Sequence, residues 1–265
     1  MGLLERLRRS SHIHGDVAER FARYLASGRV LDIPVGGGDN ARPLAAAGYD
    51  VLGADIVIES LEGQGYEVQK IDMTQPLPFP DASFDAILHS EGIEHVDNQV
   101  AVLEELARVL KPGGVMIVTT PNLLHLEGRV LNLLTGHARD RGVVAESAGY
   151  WGNSESYARV KEIFFGHVFL INAFQLRFYL IHAGLEVVDV DTTRYSWKSV
   201  VLAPLLYPFV WYATQRILRS RRSRLHPDQQ RELRKQILSP ALLFGRKAIM
   251  VARKPLDAAA DAVAR

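Results

Sequence analysis

Val30-Leu31-Asp32-Ile33-Pro34-Val35-Gly36-Gly37-Gly38 is a short apolar run that ends in three glycines. A run of this length bounded by breakers reads as a buried strand, here Arg29–Pro34. Glycine after it permits a tight reversal into the next helix, Ala41–Ala47, which Gly48 ends. A backbone without Cβ also lets a ligand come close. The free N–H groups at the start of the following helix suit an anionic or carboxylate group.

Working outward, Tyr49–Ile56 reads as a second strand, Glu67–Ile71 as a third, and Phe84–His89 as a fourth after the turn Phe79-Pro80-Asp81-Ala82-Ser83. Gln99–Leu110 carries a helical stripe of Val100, Leu103, Leu106, Ala107 and Leu110, stopped by Lys111-Pro112-Gly113-Gly114. Val115–Thr120 is a fifth strand, Ala173–Ala183 a helix closed by Gly184, Leu185–Asp191 a sixth strand and Lys247–Ala252 a seventh. Strands alternating with helices predict an α/β fold, a Rossmann-like doubly wound sheet of seven strands. Ligands of such sheets sit beyond the carboxyl ends of the strands, where the glycine turn lies.

The chain has 265 residues, 48% of them hydrophobic, enough for one large domain with a real core. It has no cysteine, which excludes disulfides, thiolate zinc sites and a cysteine nucleophile, and fits a reducing cytoplasm. Met1–Arg9 has no apolar run long enough for a secretory signal and reads as a short amphipathic helix. The net charge of +1 is unevenly spread. Residues 1–199 hold 18 Lys/Arg against 26 Asp/Glu, whereas residues 200–265 hold 13 against 4. A basic tail of this kind suits a polyanion, either anionic lipid or nucleic acid.

Taken alone, Gly36-x-Gly38-x-x-Ala41 also fits the dinucleotide fingerprint, with Asp55 about where a ribose-binding acid belongs. A nicotinamide-dependent oxidoreductase is therefore the competing reading. The ordered set of pieces is more specific. After the glycine turn come Val51-Leu52-Gly53-Ala54-Asp55, Asp72-Met73 with Leu77-Pro78-Phe79, and Ser83-Phe84-Asp85-Ala86-Ile87. Ile93-Glu94-His95 and Leu106-Ala107-Arg108-Val109-Leu110-Lys111-Pro112-Gly113-Gly114 complete it. In order and spacing this resembles the class I S-adenosylmethionine (SAM)-dependent methyltransferases, closely over residues 25–122 and loosely over 165–254.

The resemblance implies SAM as cofactor and an antiparallel last strand. It implies that the Gly36 and Gly38 turn packs under the methionine end of SAM and that Asp32 approaches its amino group. Asp55 would accept both ribose hydroxyls, since a carboxylate offers two acceptor oxygens to a vicinal diol. Asp72 would take the adenine amino group, with the Met73 backbone beside it, and Ser90 would line the pocket near the sulfonium. The bland alternatives are a strand-end or helix-capping carboxylate for Asp55 and a turn residue for Asp72. The sequence departs from the family at Pro34 and Val35, where glycine and often cysteine are usual; proline fixes φ and removes one N–H.

Methyl transfer needs an aligned acceptor and, for a hydroxyl, a base. The candidates are His95 after the fourth strand, His125 just past the fifth, and His167 in Phe164-Phe165-Gly166-His167-Val168. The alternative for each is a histidine that shapes the pocket or bonds to backbone. No metal-type spacing links them, so no catalytic metal is expected. Residues 121–170 form the expected acceptor loop, in which Tyr150, Trp151 and Tyr157 make either a lid or a local hydrophobic cluster.

Three segments follow from this reading: a SAM-binding core over 1–193, a hydrophobic and basic insertion over 194–245, and the last strand with a tail over 246–265. Within the insertion, Val200–Ala213 is fourteen residues without a charge, broken by Pro204 and Pro208 and too short for a membrane span. Gln215–Lys235 then carries eight Arg/Lys and two acids. An apolar, aromatic segment beside a basic cluster is the pattern of a peptide lying in a membrane interface. A buried helical hairpin or a homodimer interface is the alternative, and nucleic acid is disfavoured. The expectation is a cytoplasmic enzyme on the inner face of the membrane that methylates oxygen on a lipid-linked glycan or another membrane-associated small acceptor. A non-catalytic SAM-binding module is a further alternative.

Overall fold

The structure, a computed structural model, describes residues 2–8, 13–59, 61, 63–136, 169–220 and 226–256. His167 and the aromatics Tyr150, Trp151 and Tyr157 lie outside the described residues. The strands are β1 (Arg29–Asp32), β2 (Asp50–Asp55), β3 (Glu67–Lys70), β4 (Phe84–Ser90), β5 (Leu110–Pro121), β6 (Glu186–Asp191) and β7 (Lys247–Arg253). They form one sheet in the order β3-β2-β1-β4-β5-β7-β6. The first five are parallel, and β7 runs antiparallel to both β5 and β6. The doubly wound sheet and its antiparallel last strand are as expected, and the nicotinamide alternative calls for no antiparallel terminal strand.

Both faces of the central sheet are covered, which is why β1, β2, β4, β5 and β7 carry apolar runs, whereas the edge strands β3 and β6 are part-exposed and more polar. Leu31, Leu52, Ile87, Met116 and Met250 point to one face, where they meet α4 (Gln99–Val109) and α6 (Ala173–His182). Val30, Val51, Leu88, Ile117 and Ile249 point to the other, where Val17 and Phe21 of α2 (Val17–Ala22) and Leu44 of α3 (Ala41–Ala46) pack. The order in which successive strands are added reverses between β1 and β4, so a crevice opens at their carboxyl ends.

Lys111–Gly114 does not stand apart from the fifth strand as a helix-stopping turn, because β5 already begins at Leu110. The reason is the segment after β7. Gly113 N–H donates to Lys254 O and Lys254 N–H donates to Gly114 O, while Lys111–Gly114 bulges from the ladder, which steps from Leu110 opposite Phe84 to Val115 opposite Ala86 with Gly113 at φ of 79°.

At the N-terminus, α1 (Leu3–Arg8) forms as expected and is pinned to the far edge of the sheet. Arg6 and the buried Arg20 both pair with Asp191 of β6, at 3.0 and 2.6 Å.

Residues 194–245 contain α7 (Trp197–Leu218), α8 (Pro227–Ile237) and α9 (Pro240–Phe244). The apolar segment expected to break at Pro204 and Pro208 is instead one helix that continues through both. A proline inside a helix removes an intrahelical hydrogen bond and costs about 3 kcal/mol. The ends offset that cost: Ser196 caps the N-terminus, and Ser199, Thr214, Gln215 and Leu218 are buried. Both prolines are exposed. Among the described residues no helix is long and apolar enough to cross a membrane.

Candidate cofactor and acceptor site

Asp32 ends β1 at the crevice. Its side chain is fully buried, and neither carboxylate oxygen meets a hydrogen-bond donor among the described residues. Burial, with a smaller push from the Asp55 charge, holds this carboxyl well above the usual carboxylate range. A buried carboxyl without a donor is costly unless a cationic or donor group meets it there. An α-ammonium group fits that requirement.

Beyond Asp32 the chain turns through Gly36 and Gly38, with φ of 52° and 76°. Both values lie in the left-handed region that side chains rarely adopt. The space over Gly36 is open, and a Cβ there would meet nothing within 4 Å. A Cβ on Gly38 would overlap the Tyr66 hydroxyl. That hydroxyl is itself buried with no hydrogen-bond partner among the described residues. The turn is thus a backbone cradle bordered by two unsatisfied polar groups, those of Asp32 and Tyr66. The unusual Pro34 is matched by a missing side chain elsewhere, because a Cβ on Gly92 would collide with its ring.

Asp55 ends β2 and holds the cradle in place. Its Oδ2 accepts from Gly36 N–H at 2.9 Å and its Oδ1 from Val57 N–H at 3.2 Å. This is the strand-end role, and it leaves each oxygen a further lone pair for a diol. Asp72, two residues past β3, is exposed and accepts from the Thr74 amide and hydroxyl at 2.9 and 2.7 Å. It therefore occupies the turn position as well. Met73 is half-buried against the core.

Ser90 ends β4, and its Oγ lies 3.0 Å from Thr119 Oγ1. The next residue, Glu91, has φ of 55°, a conformation uncommon for any side-chain-bearing residue and often found at functional sites. Glu91 accepts from Thr119 Oγ1 at 3.0 Å and pairs with Lys247 at 2.6 Å. Glu94 is fully buried and accepts from Thr120 Oγ1 at 3.1 Å. Burial, reinforced by the neighbouring Glu91, raises its pKa. Beneath the turn, His89 is fully buried with Nδ1 2.5 Å from Ile33 O. Burial drives its pKa down to about 4, so it is neutral, with Nδ1–H donating to that carbonyl.

Of the candidate bases, His95 is half-buried on the single turn Ile93–His95 that follows β4. His125 caps α5 (Leu126–Thr135): its Nδ1 accepts from Gly128 N–H at 3.0 Å and lies 3.2 Å from Ser199 Oγ on α7. That ring nitrogen is committed to backbone, the alternative weighed for it above. The structure thus brings Asp32, Gly36, Gly38 and Asp55 together, with Ser90 and His95 following the neighbouring strand. Sequence reasoning missed Tyr66, His89, Glu91, Glu94 and Lys247. Glu91 and Glu94 were findable, since both follow directly on a strand that ends at the crevice; Tyr66 and Lys247 arrive from distant segments.

Residues 31–118 match the family described as methyltransferase domain. The chain is 31% identical over 147 residues to a protein of Mycolicibacterium smegmatis named "Probable S-adenosylmethionine-dependent methyltransferase", a match covering 52% of this chain and 57% of that one. It is 34% identical over 128 residues to the ubiquinone biosynthesis O-methyltransferase of Dinoroseobacter shibae, covering 43% and 52%. The chain thus spans little more than half the length of these relatives. The crystal structure of a SAM-dependent methyltransferase from Archaeoglobus fulgidus superposes with a TM-score of 0.55 at 18% identity, over 91% of this chain and 94% of that one. Residues 31–118 thus match a methyltransferase domain, and the seven-stranded sheet that contains them has the fold of the Archaeoglobus fulgidus protein.

Proposed function

We propose that the chain transfers the methyl group of SAM to an oxygen of a membrane-associated acceptor, of the quinone-precursor or lipid-linked-glycan kind. The observation that carries the cofactor half is Asp32, a buried carboxylate with no donor among the described residues, beside an open glycine cradle. SAM supplies an electrophilic methyl on a sulfonium, so the protein's work is chiefly to bind, align and exclude water. Asp32 receives the ammonium group. Asp55 receives the ribose hydroxyls with the lone pairs that Gly36 and Val57 leave, and Asp72 swings from Thr74 to the adenine amino group, with the Met73 backbone beside it. Ser90 lines the methyl end. His95 or His167 takes the acceptor's proton.

The acceptor half rests on α7. Along this helix Val201, Leu205, Phe209 and Tyr212 are all at least 60% exposed, and Trp197 and Trp211 are exposed with them. Leu133 and Leu134 of the adjoining α5 extend the apolar surface. A patch of this kind marks an interaction site, and exposed Lys198, Arg216, Arg219, Arg231 and Lys235 suit an anionic bilayer. On this reading the protein docks on the inner face of the membrane through residues 194–245, and a homodimer is the competing use of the same surface. The ubiquinone O-methyltransferase similarity supports an apolar acceptor bearing a hydroxyl.

Titration calorimetry is the test of the cofactor: S-adenosylhomocysteine should bind, and NAD binding in its place would sink the reading. Release of S-adenosylhomocysteine in the presence of quinone, lipid and glycan fractions then identifies the acceptor.

A further inference from the structure

Between α5, α6, α7 and α8 lies a cavity of about 530 Å³, within the size range of small-molecule sites. Leu124, Phe174, Phe209, Val210 and Ile237 make most of its wall. Among the described residues the one ionisable side chain on it is Arg129 of α5. Thr214, the other lining residue with a side-chain polar group, donates its hydroxyl to Val210 O at 2.7 Å within its own helix.

Like Arg177, Arg194, Arg234 and Arg253, Arg129 is half-buried with no carboxylate partner among the described residues, and of these it is the one that lines the cavity. Arg20 and Arg108 each pair with two carboxylates. Arg129 spends only its Nε, on Leu124 O at 2.7 Å, and no carboxylate among the described residues pairs with it. Its two NH2 groups have no carboxylate among the described residues, and its side chain borders an apolar wall. Burial makes its charged form less favourable than usual, a cost that an anion would relieve. Arginine meets carboxylate and phosphate through two parallel hydrogen bonds.

The cavity's position gives it a use. Leu124 follows three residues after the carboxyl end of β5, the edge on which the glycine cradle and Ser90 also lie. Its opposite wall is α7, whose exposed apolar side continues from Phe209. A ligand here meets one positive charge set in hydrocarbon, with an apolar surface leading away.

We propose that this cavity binds an amphiphile, a phosphate or carboxylate group carried on a hydrocarbon chain, with Arg129 as the counter-charge that positions its head. As a subsite of the acceptor this rests on the methyltransferase reading; as a binding site it does not.

The test uses the full chain in titration calorimetry with four probes: dodecyl phosphate and dodecanoate below their micelle concentrations, dodecan-1-ol, and inorganic phosphate. One of the two anionic amphiphiles should bind at one per chain, at least tenfold more tightly than the alcohol or inorganic phosphate. Arg129→Leu should erase that margin and Arg129→Lys restore part of it. Equal binding of the alcohol, equal binding of phosphate alone, or no binding of either amphiphile overturns the proposal. Should Arg129→Leu fail to fold, Ala213→Trp fills the cavity from α7 with the guanidinium in place, and must abolish amphiphile binding; retained binding overturns the site. S-adenosylhomocysteine titrated into the same samples reads the cofactor separately. Its failure with amphiphile binding intact removes the methyltransferase reading and leaves the cavity, and the converse removes the cavity alone.

Discussion

Lys247, the first residue of β7, lies 2.6 Å from the carboxylate of Glu91, the residue at which the chain leaves β4. The last strand thereby clamps a left-handed backbone position at the mouth of the crevice. Replacing Lys247 with Met leaves Glu91 without its cation in a half-buried setting. A lost charged hydrogen bond there should cost about 1.5–3 kcal/mol, read by urea unfolding with an unchanged m-value. A cost below a few tenths would mean that the pair does not hold this corner.

Asp32→Asn keeps the shape of the side chain and removes its charge. Because burial raises the carboxyl's pKa in the fold, the native state holds a proton that the unfolded chain has released. Stability of the ligand-free protein should therefore fall as pH rises above the ordinary aspartate value. The Asn variant should lose that slope and be more stable than the parent at pH 7. Its affinity for S-adenosylhomocysteine should drop by at least tenfold. A variant that binds as the parent does would remove Asp32 from the cofactor site.

His89 gives the opposite slope. With its folded pKa near 4 and an ordinary value of 6.5, it contributes stability above pH 6.5 that is lost as pH falls toward 4. The full contribution is on the order of 3 kcal/mol at 1.36 kcal/mol per pH unit. His89→Asn retains a donor for Ile33 O and cannot titrate. The difference between parent and variant stability should narrow through this window; a constant difference would show that the ring is not buried neutral.

At Gly38 two effects combine. Alanine would be forced to a φ of 76° and would overlap Tyr66. The backbone alone costs about 1–2 kcal/mol. Gly38→Ala should therefore destabilise by more than this, and adding Tyr66→Phe should recover part of the loss without recovering all of it. Additive costs in the double variant would place Tyr66 away from the turn.

For α7, vesicle flotation is decisive. The protein should float with anionic liposomes and much less with neutral ones, and salt should weaken the association. Trp211→Ser together with Phe209→Ser should abolish flotation while leaving S-adenosylhomocysteine affinity unchanged. A parent protein that stays at the bottom of the gradient refutes the membrane assignment.

The centre of the sheet was legible because burial on both faces writes its strands as apolar runs closed by glycine or proline, as at Arg29–Asp32 and Lys247–Arg253. The glycine cradle was legible for the same local reason: a left-handed turn demands the residue that tolerates it. Helix α7 was not, since its prolines argue locally for a break that anchoring at Ser199 and Leu218 overrides. The cluster around Glu91 was also hidden, as its cation comes from 156 positions further along the chain and only the antiparallel β7 brings the two together. His125 showed its chemistry but not its use, because whether a ring nitrogen faces an acceptor or caps a helix is decided by Gly128 and Ser199.

The strand pairing also dictates a schedule. β7 sits between β5 and β6, so β6 has no partner until residues 247–253 have been synthesised. A chain still held on the ribosome exposes the long apolar edge of β5, an invitation to pair with another strand. Helices α7 to α9 emerge first, tethered beside that edge by Asn122, whose amide donates to the carbonyls of Leu242 and Gly245 at 2.9 and 2.7 Å. Residues 194–245 are thus made before the strand that completes the sheet.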